Sequence, residues 1–210
     1  MKYICVFISL FFLSVSSKAQ EQRFKAGFHL GFNAAQLNGD QNSGFHKLGL
    51  NGGLRVAAKL KEKLRLITEI NYASRGSQAT LSPGSNGGFF RINTRYIEVP
   101  IMISILDWKG EADDHYKLHF NGGLSYGRLI SSTATGITTF AGRSEELLNK
   151  NNISVNIGFI YYPRTNLGYH FRYTRDLIPT YTFKVGGLNE SSLIGYYLTL
   201  GVTKMFGEGE

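Results

Sequence analysis

Phe24-Lys25-Ala26-Gly27-Phe28-His29-Leu30-Gly31-Phe32-Asn33 sets an apolar residue at every even position and glycine or a polar residue at every odd one. A period of two is the mark of a strand with one apolar face. The pattern recurs through the chain. Leu48, Leu50, Leu54, Val56 and Leu60 alternate with Gly49, Asn51, Arg55 and Lys59; Leu64, Leu66, Ile70 and Tyr72 alternate with Arg65, Glu69, Asn71 and Arg75. Ile97, Val99, Ile101, Ile103 and Ile105 form a fourth row, and Leu118, Phe120, Leu124 and Tyr126 a fifth. Ile153 to Tyr161, Leu167 to Tyr173 and Tyr196 to Phe206 supply three more. No stretch carries a convincing helical period; the best candidate, Ser144 to Asn149, is barely more than one turn.

Eight is an even number, and each row runs for more than the five or six residues usual in soluble sheets. Tilted strands of about 9–11 residues cross a bilayer. The connections alternate in length. Lys61–Lys63, Asp107–His115 and Pro163–Asn166 are the shorter ones, while Gln36–His46, Gly76–Phe90, Ile130–Lys150 and Asp176–Ser191 are longer and rich in Gly, Ser, Asn and Thr. The expected fold is all-β: an eight-stranded, up-and-down antiparallel transmembrane β-barrel, with both termini on the short-turn, periplasmic side. The apolar face then meets lipid and the polar face lines the interior. A soluble barrel would turn the apolar face inward, around a greasy ligand.

The 210 residues carry 23 Lys+Arg, 15 Asp+Glu and one cysteine. Cys5 lies in a leader-like start: a basic Lys2, an apolar run from Ile4 to Val15, and small residues Ser17 and Ala19 at a cleavage position. Residues 1–19 are expected to be a secretory signal peptide and 20–210 the barrel domain. The chain without cysteine suits an oxidising compartment. The net charge of +8 over all 210 residues would permit nucleic acid, but export makes an anionic lipid surface the better partner.

Arg55, Arg65, Glu69, Glu98, His119, His170 and Arg172 share the polar register. An Arg or Lys facing lipid at the midplane costs about 2–4 kcal/mol. Eight strands leave an interior only wide enough for side chains, so these groups are expected to form a structural network that plugs a polar lumen. Phe24, Tyr116, Tyr161, Tyr162 and Phe206 are placed at the periplasmic rim, and Tyr72, Tyr126 and Tyr173 at the outer rim. Pro100 lacks a ladder donor and is expected to mark a bulge or bend.

The segment Arg95-Tyr96-Ile97-Glu98-Val99-Pro100-Ile101 resembles the Tyr-Leu-Glu-Ile-Pro-Leu signature of PorT-like outer-membrane β-barrel proteins of Gram-negative bacteria. Tyr96, Glu98 and Pro100 carry the match, and Ala26–Asn33, Glu69–Gly76 and Phe120–Gly127 are similar in style. The resemblance implies an integral outer-membrane barrel without catalytic residues; one founding member takes part in protein secretion across that membrane. Leu198, Leu200, Val202 and Phe206 resemble the signal read by the barrel-insertion machinery, although Gly207-Glu208-Gly209-Glu210 follows the aromatic.

Other chemistry is weakly represented. His29, His119 and His170 face inward without metal-ligand spacing. A lipid- or glycan-modifying enzyme would need a pair such as His46 with Asp40 or Glu145, and no serine is singled out beside them. Gly84, Gly87 and Gly88 lack the strand–loop–helix setting of a phosphate loop. Phe89, Phe90 and Arg91 form a candidate loop contact. The expectation is no catalysis, no cofactor, no metal and no nucleic acid. The partners expected are outer-membrane lipid, the insertion machinery, and secretion or envelope proteins reached through the long loops.

Overall fold

The computed structural model describes residues 23–38, 44–80, 89–110, 115–135, 148–185 and 189–206. The strands are β1 (Phe24–Asn38), β2 (Lys47–Lys61), β3 (Leu64–Thr80), β4 (Phe89–Lys109), β5 (Tyr116–Thr135), β6 (Asn151–Arg164), β7 (Leu167–Asp176), β8 (Tyr181–Val185) and β9 (Asn189–Met205). Strands β1 to β7 pair antiparallel in sequence order; β7 then pairs β9, and β9 closes on β1 from Gly27↔Met205 to Asn38↔Ile194. The result is a closed, eight-stranded, up-and-down antiparallel barrel. Closure pairs every barrel strand on both sides and removes exposed edges.

The short strand β8 stands outside the ring. It pairs only with the start of β9, from Tyr181↔Leu193 to Val185↔Asn189. This hairpin occupies a stretch expected to be loop. Two other expected loops are also shorter, because β3 and β4 remain paired as far as Thr80↔Phe89 and β4 and β5 as far as Arg91↔Thr135. Gly, Ser, Asn and Thr suggested loop, but threonine fits a ladder well. Gly76, at φ +141°, supplies a backbone conformation that few other residues adopt. The tight turns at Glu62–Lys63 and Thr165–Asn166 mark one end of the barrel, here the turn end; the opposite one is the loop end.

Of the bulge or bend expected at Pro100, the β3–β4 register shows no bulge. Pairing of β3 with β4 keeps its register across it, from Thr68↔Ile101 to Asn71↔Glu98, and the pairs at Glu69 and Ile70 are missing. A missing N–H has interrupted the ladder without shifting it. The register shift lies at Arg95/Tyr96, on the β4–β5 side.

Side chains alternate outward and inward along every barrel strand. Leu30 is 60% exposed and its neighbour His29 is 2% exposed. Phe28 and Phe32, Leu50 and Leu54, Ile101 and Ile105, Leu124, Ile157, and Leu200 and Val202 point outward with Leu30. The apolar face is therefore the outer surface, and an inward-facing greasy core around a ligand is excluded for the described residues. Phe28 packs on Phe206 at 5.8 Å between ring centroids, and Trp108 stacks on Tyr161 at 6.1 Å. Tyr116 and Tyr162, expected in the same rim, are buried instead. Tyr162 continues the inward row of Ile160, and the Tyr116 hydroxyl donates to the Glu62 carboxylate at 2.8 Å.

The closing seam gives a direct test. Phe32 pairs with Leu200, and Cys5 is the only cysteine. Phe32→Cys with Leu200→Cys should oxidise to an intramolecular disulfide joining the first and last barrel strands, visible as altered mobility without reductant. Failure to cross-link would point to an open sheet.

Candidate functional site

The inward rows order the interior along the barrel axis. From turn end to loop end, β3 presents Ile67, Glu69, Asn71 and Arg75, and β4 presents Met102, Pro100, Glu98, Tyr96 and Ile92. β7 presents Gly168, His170, Arg172, Thr174 and Asp176, while β9 presents Met205, Thr203, Thr199, Tyr197 and Leu193. The rows of β3, β4 and β7 pass into charge and that of β9 into hydroxyl groups, and three of the four begin in apolar residues. A Cβ at Gly168 would lie 2.7 Å from Ile160 Cγ2 and 2.8 Å from Tyr162 Cε1, so the absent side chain leaves room for two large neighbours.

Two ionic clusters fill the middle. In the first, Arg172 donates from Nη1 to Glu69 Oε2 at 2.9 Å and from Nη2 to Oε1 at 2.8 Å. Arg55 donates from Nε to Oε1 at 2.7 Å and from Nη2 to the same oxygen. Asn71 donates to Oε2 at 2.8 Å. The forked guanidinium suits this bidentate work. In the second cluster, Arg75 donates to Asp176 at 2.6 Å and lies 3.5 Å from Glu98 Oε1. Its guanidinium sits over the Tyr96 ring at 3.9 Å, a cation–π contact. The Tyr197 hydroxyl donates to Glu98 at 2.8 Å, while Ser154 and Thr180 donate to Asp176 at 3.0 and 2.9 Å. One carboxylate thus faces two cations, and one cation faces two carboxylates. Arg172 also interacts with Glu98 across the gap between them.

Apolar residues close both ends. Ala57, Ile67, Met102, Ile160, Tyr162 and Met205 cluster toward the turn end, and Leu37, Ile92, Leu148, Tyr181 and Leu193 at the loop end. The interior is therefore a polar core between apolar caps, where the sequence reading expected a plugged polar lumen. A cavity of about 30 Å³ runs along the turn-end cap, lined by Arg65, His115 and His119, by Ile67, Tyr162 and Met205 of the cap, and by Arg55 of the first cluster; it has room for about one water. Arg65 is half-buried there, while Arg55, Glu69, Glu98, His119, His170, Arg172, Tyr96 and Pro100 are buried. His119 Nε2 lies 3.1 Å from the Tyr116 carbonyl, and His170 Nδ1 3.2 Å from Thr203 Oγ1. His29 and His170 meet edge-on at 5.6 Å. Among the described residues, no group of three or more His, Cys, Asp or Glu is placed to hold a metal ion.

The remaining candidates lie at the loop end. Phe89, Phe90 and Arg91 belong to β4, not to a loop, and the Arg91 side chain is exposed. His46 is exposed; its suggested acids, Asp40 and Glu145, lie outside the described residues. Reading by residue type missed Arg75, Asp176 and Tyr197 as network members. The parity of their rows was the available signal: Arg75 is in step with Glu69, and Asp176 with Arg172.

A closed eight-stranded barrel with an apolar exterior is the geometry of an outer-membrane protein, and the sequence comparison agrees. The family model described as an outer membrane protein beta-barrel domain matches residues 18–182. The chain belongs to that outer-membrane β-barrel family. Solved structures of the same general form include the attachment invasion locus protein Ail of Yersinia pestis, at 12% identity and a TM-score of 0.48, covering 87% of this chain and 98% of Ail. Neisserial surface protein A gives 14% identity and 0.46, covering 87% and 97%. OprG of Pseudomonas aeruginosa gives 10% and 0.44, covering 88% and 95%. No curated protein sequence matches. Membership of the outer-membrane barrel family sets the outward apolar rows in lipid.

Removing Glu69 would strand two buried guanidiniums. Glu69→Ala should lower stability by about 3–5 kcal/mol, the usual cost of breaking a buried pair. Lys61→Ala, at the exposed end of β2, should change it by no more than about 0.5 kcal/mol. Urea unfolding in detergent micelles or lipid vesicles measures both.

Proposed function

We propose that this outer-membrane barrel is a structural or accessory component of envelope assembly or protein secretion, and that it acts through its loop end. The observation that carries the reading is the closed interior. With ion pairs between two apolar caps, the barrel offers no open chamber to a substrate among the described residues. Its outer wall is engaged with lipid. The loop end, where β3, β4, β5 and the β8–β9 hairpin extend, is the remaining contact surface.

In this reading residues 1–19 direct export, the termini and tight turns lie in the periplasm, and the loop end faces outside. The alternation of short turns with long connections supports that orientation. The PorT-like resemblance at Tyr96, Glu98 and Pro100 supports a secretion-linked role. In the structure two of these residues hold Arg75, so the motif's work in this chain is to build the interior. The insertion machinery would read the outward residues Leu198, Leu200, Val202 and Phe206 of the last strand.

Two measurements test the proposal in turn. Membrane fractionation with unboiled and boiled gel samples should show a heat-modifiable band in the outer-membrane fraction. A deletion strain should then show altered levels of exported or surface proteins. Wild type should restore them, and a chain with residues 81–88 replaced by a short Gly-Ser turn should not, although it folds and fractionates normally. Full complementation by that variant, or unchanged exported proteins in the deletion strain, contradicts a role carried by the loop end.

A further inference from the structure

The cavity along the turn-end cap has a lining of one sign. Lys25, Arg55 and Arg65 supply three cations, His115 and His119 two imidazoles, and no Asp or Glu lines it. Glu62, which accepts from the Tyr116 hydroxyl at 2.8 Å, stands outside the lining. The charged groups that bear most on the His119 ring are Arg65, Arg55 and His115. Those that bear most on the Tyr162 hydroxyl are Arg55 and Arg65, ahead of Glu69. The interior ion pairs do not cancel this charge. Arg55 and Arg172 share the single carboxylate of Glu69, so the cluster that borders the cavity carries one positive charge in excess. The cluster of opposite sign lies on its loop-end side. The rim repeats the sign: at this end Lys59, Lys61, Lys63, Lys117, Arg164 and Lys204 outnumber Glu62 and Asp107 among the described residues.

The walls are held in place. His115 Nε2 donates to the Tyr162 carbonyl at 3.3 Å and His119 Nε2 to the Tyr116 carbonyl at 3.1 Å. The His119 ring packs on Tyr162 at 4.5 Å between centroids. Arg55 is fixed by Glu69, and both Arg55 and His119 are buried. Lys25 and Arg65 make other contacts as well; each still brings its charge to the cavity wall. Thr165, exposed in the turn after β6, and half-buried His115 place the mouth at the turn end. A volume of about 30 Å³ takes one water-sized species and is too small for a sulfate or a phosphate ester. A fixed, water-excluding site with surplus positive charge favours a counter-charge over a neutral water. Guanidinium groups are weakly hydrated and give up little solvent to meet one.

We propose that this cavity is a binding site for a single halide ion, chloride under ordinary conditions, seated between Arg65 and His119 and against the Arg55 guanidinium. The ion supplies the negative charge that the first cluster lacks. It also joins five strands at the turn end, since Lys25, Arg55, Arg65, His119 and Tyr162 stand on β1, β2, β3, β5 and β6. Bromide is more weakly hydrated than chloride and loses less on entry, so it binds at least as well. Binding to the folded chain alone stabilises it by mass action.

The test is chloride-35 NMR of the full chain folded in detergent micelles, with gluconate holding the ionic strength at about 0.15 M. The chloride line should broaden saturably with protein, and bromide should reverse the broadening while sulfate does not. The urea midpoint should rise with chloride at the same ionic strength. R65Q should weaken chloride binding by about tenfold or more, the scale of one charge-assisted contact. A57V keeps every charge and fills the space, and should abolish the saturable broadening. K61Q, exposed at the same end, should leave it unchanged. No saturable broadening, full binding in R65Q or A57V, or an equal loss in K61Q overturns the site; the last result assigns the broadening to the general counter-ion atmosphere. A heat-modifiability gel on each sample reports folding. Should R65Q or A57V lose its shift, the wild-type competition decides, and equal reversal by bromide and sulfate overturns the proposal.

Discussion

Glu69 is held by two guanidiniums inside a ring of strands that leaves room for little else. Much of the structure follows from that constraint. An eight-stranded barrel has an interior filled by side chains, and an unpaired charge there costs several kcal/mol. Glu69 takes Arg55 and Arg172, while Arg75 takes Glu98 and Asp176. Each cluster carries an imbalance of one charge, the two are opposite in sign, and they lie next to each other. Together the six groups are neutral, although neither cluster is.

The apolar caps complete the arrangement. Met102, Ile160 and Tyr162 on one side and Ile92, Tyr181 and Leu193 on the other keep bulk water from the ion pairs, and so preserve their strength. This is a soluble protein's layering reversed on the outside and partly kept on the inside: Leu and Ile rows face outward, yet small hydrophobic cores persist where the barrel ends. Tyr96 and Tyr197 join both schemes, since their rings pack around Arg75 and the Tyr197 hydroxyl meets Glu98.

Much of this was legible in the chain. Strict alternation located all eight barrel strands and the inward direction of Arg55, Glu69, Glu98, His119, His170 and Arg172. Pairing was not legible, because the distance between Glu69 and Arg172 depends on how strands far apart in the ring tilt across the lumen. Asp176 was read as the start of a loop, since nothing local shows that its carboxylate meets Arg75. The β8 hairpin was missed because Tyr181–Val185 pairs only with residues that precede the barrel part of β9. Pro100 misled in the other direction: its missing donor falls opposite Glu69, where the ladder loses contacts and keeps its register. The caps were hidden by residue type, as Ile67, Met102 and Ile92 look like lipid-facing residues until their parity is counted.

Side-chain NMR of the protein in lipid nanodiscs addresses the central claim, a wall that faces lipid around an interior of paired charge. Methyl groups of Leu54, Ile101 and Leu124 should show magnetisation transfer from lipid acyl chains, while the Nε–H protons of Arg55 and Arg172 should show transfer from neither lipid nor water and exchange slowly. Rapid exchange of those guanidinium protons with water, together with methyl groups silent to lipid, would contradict the account.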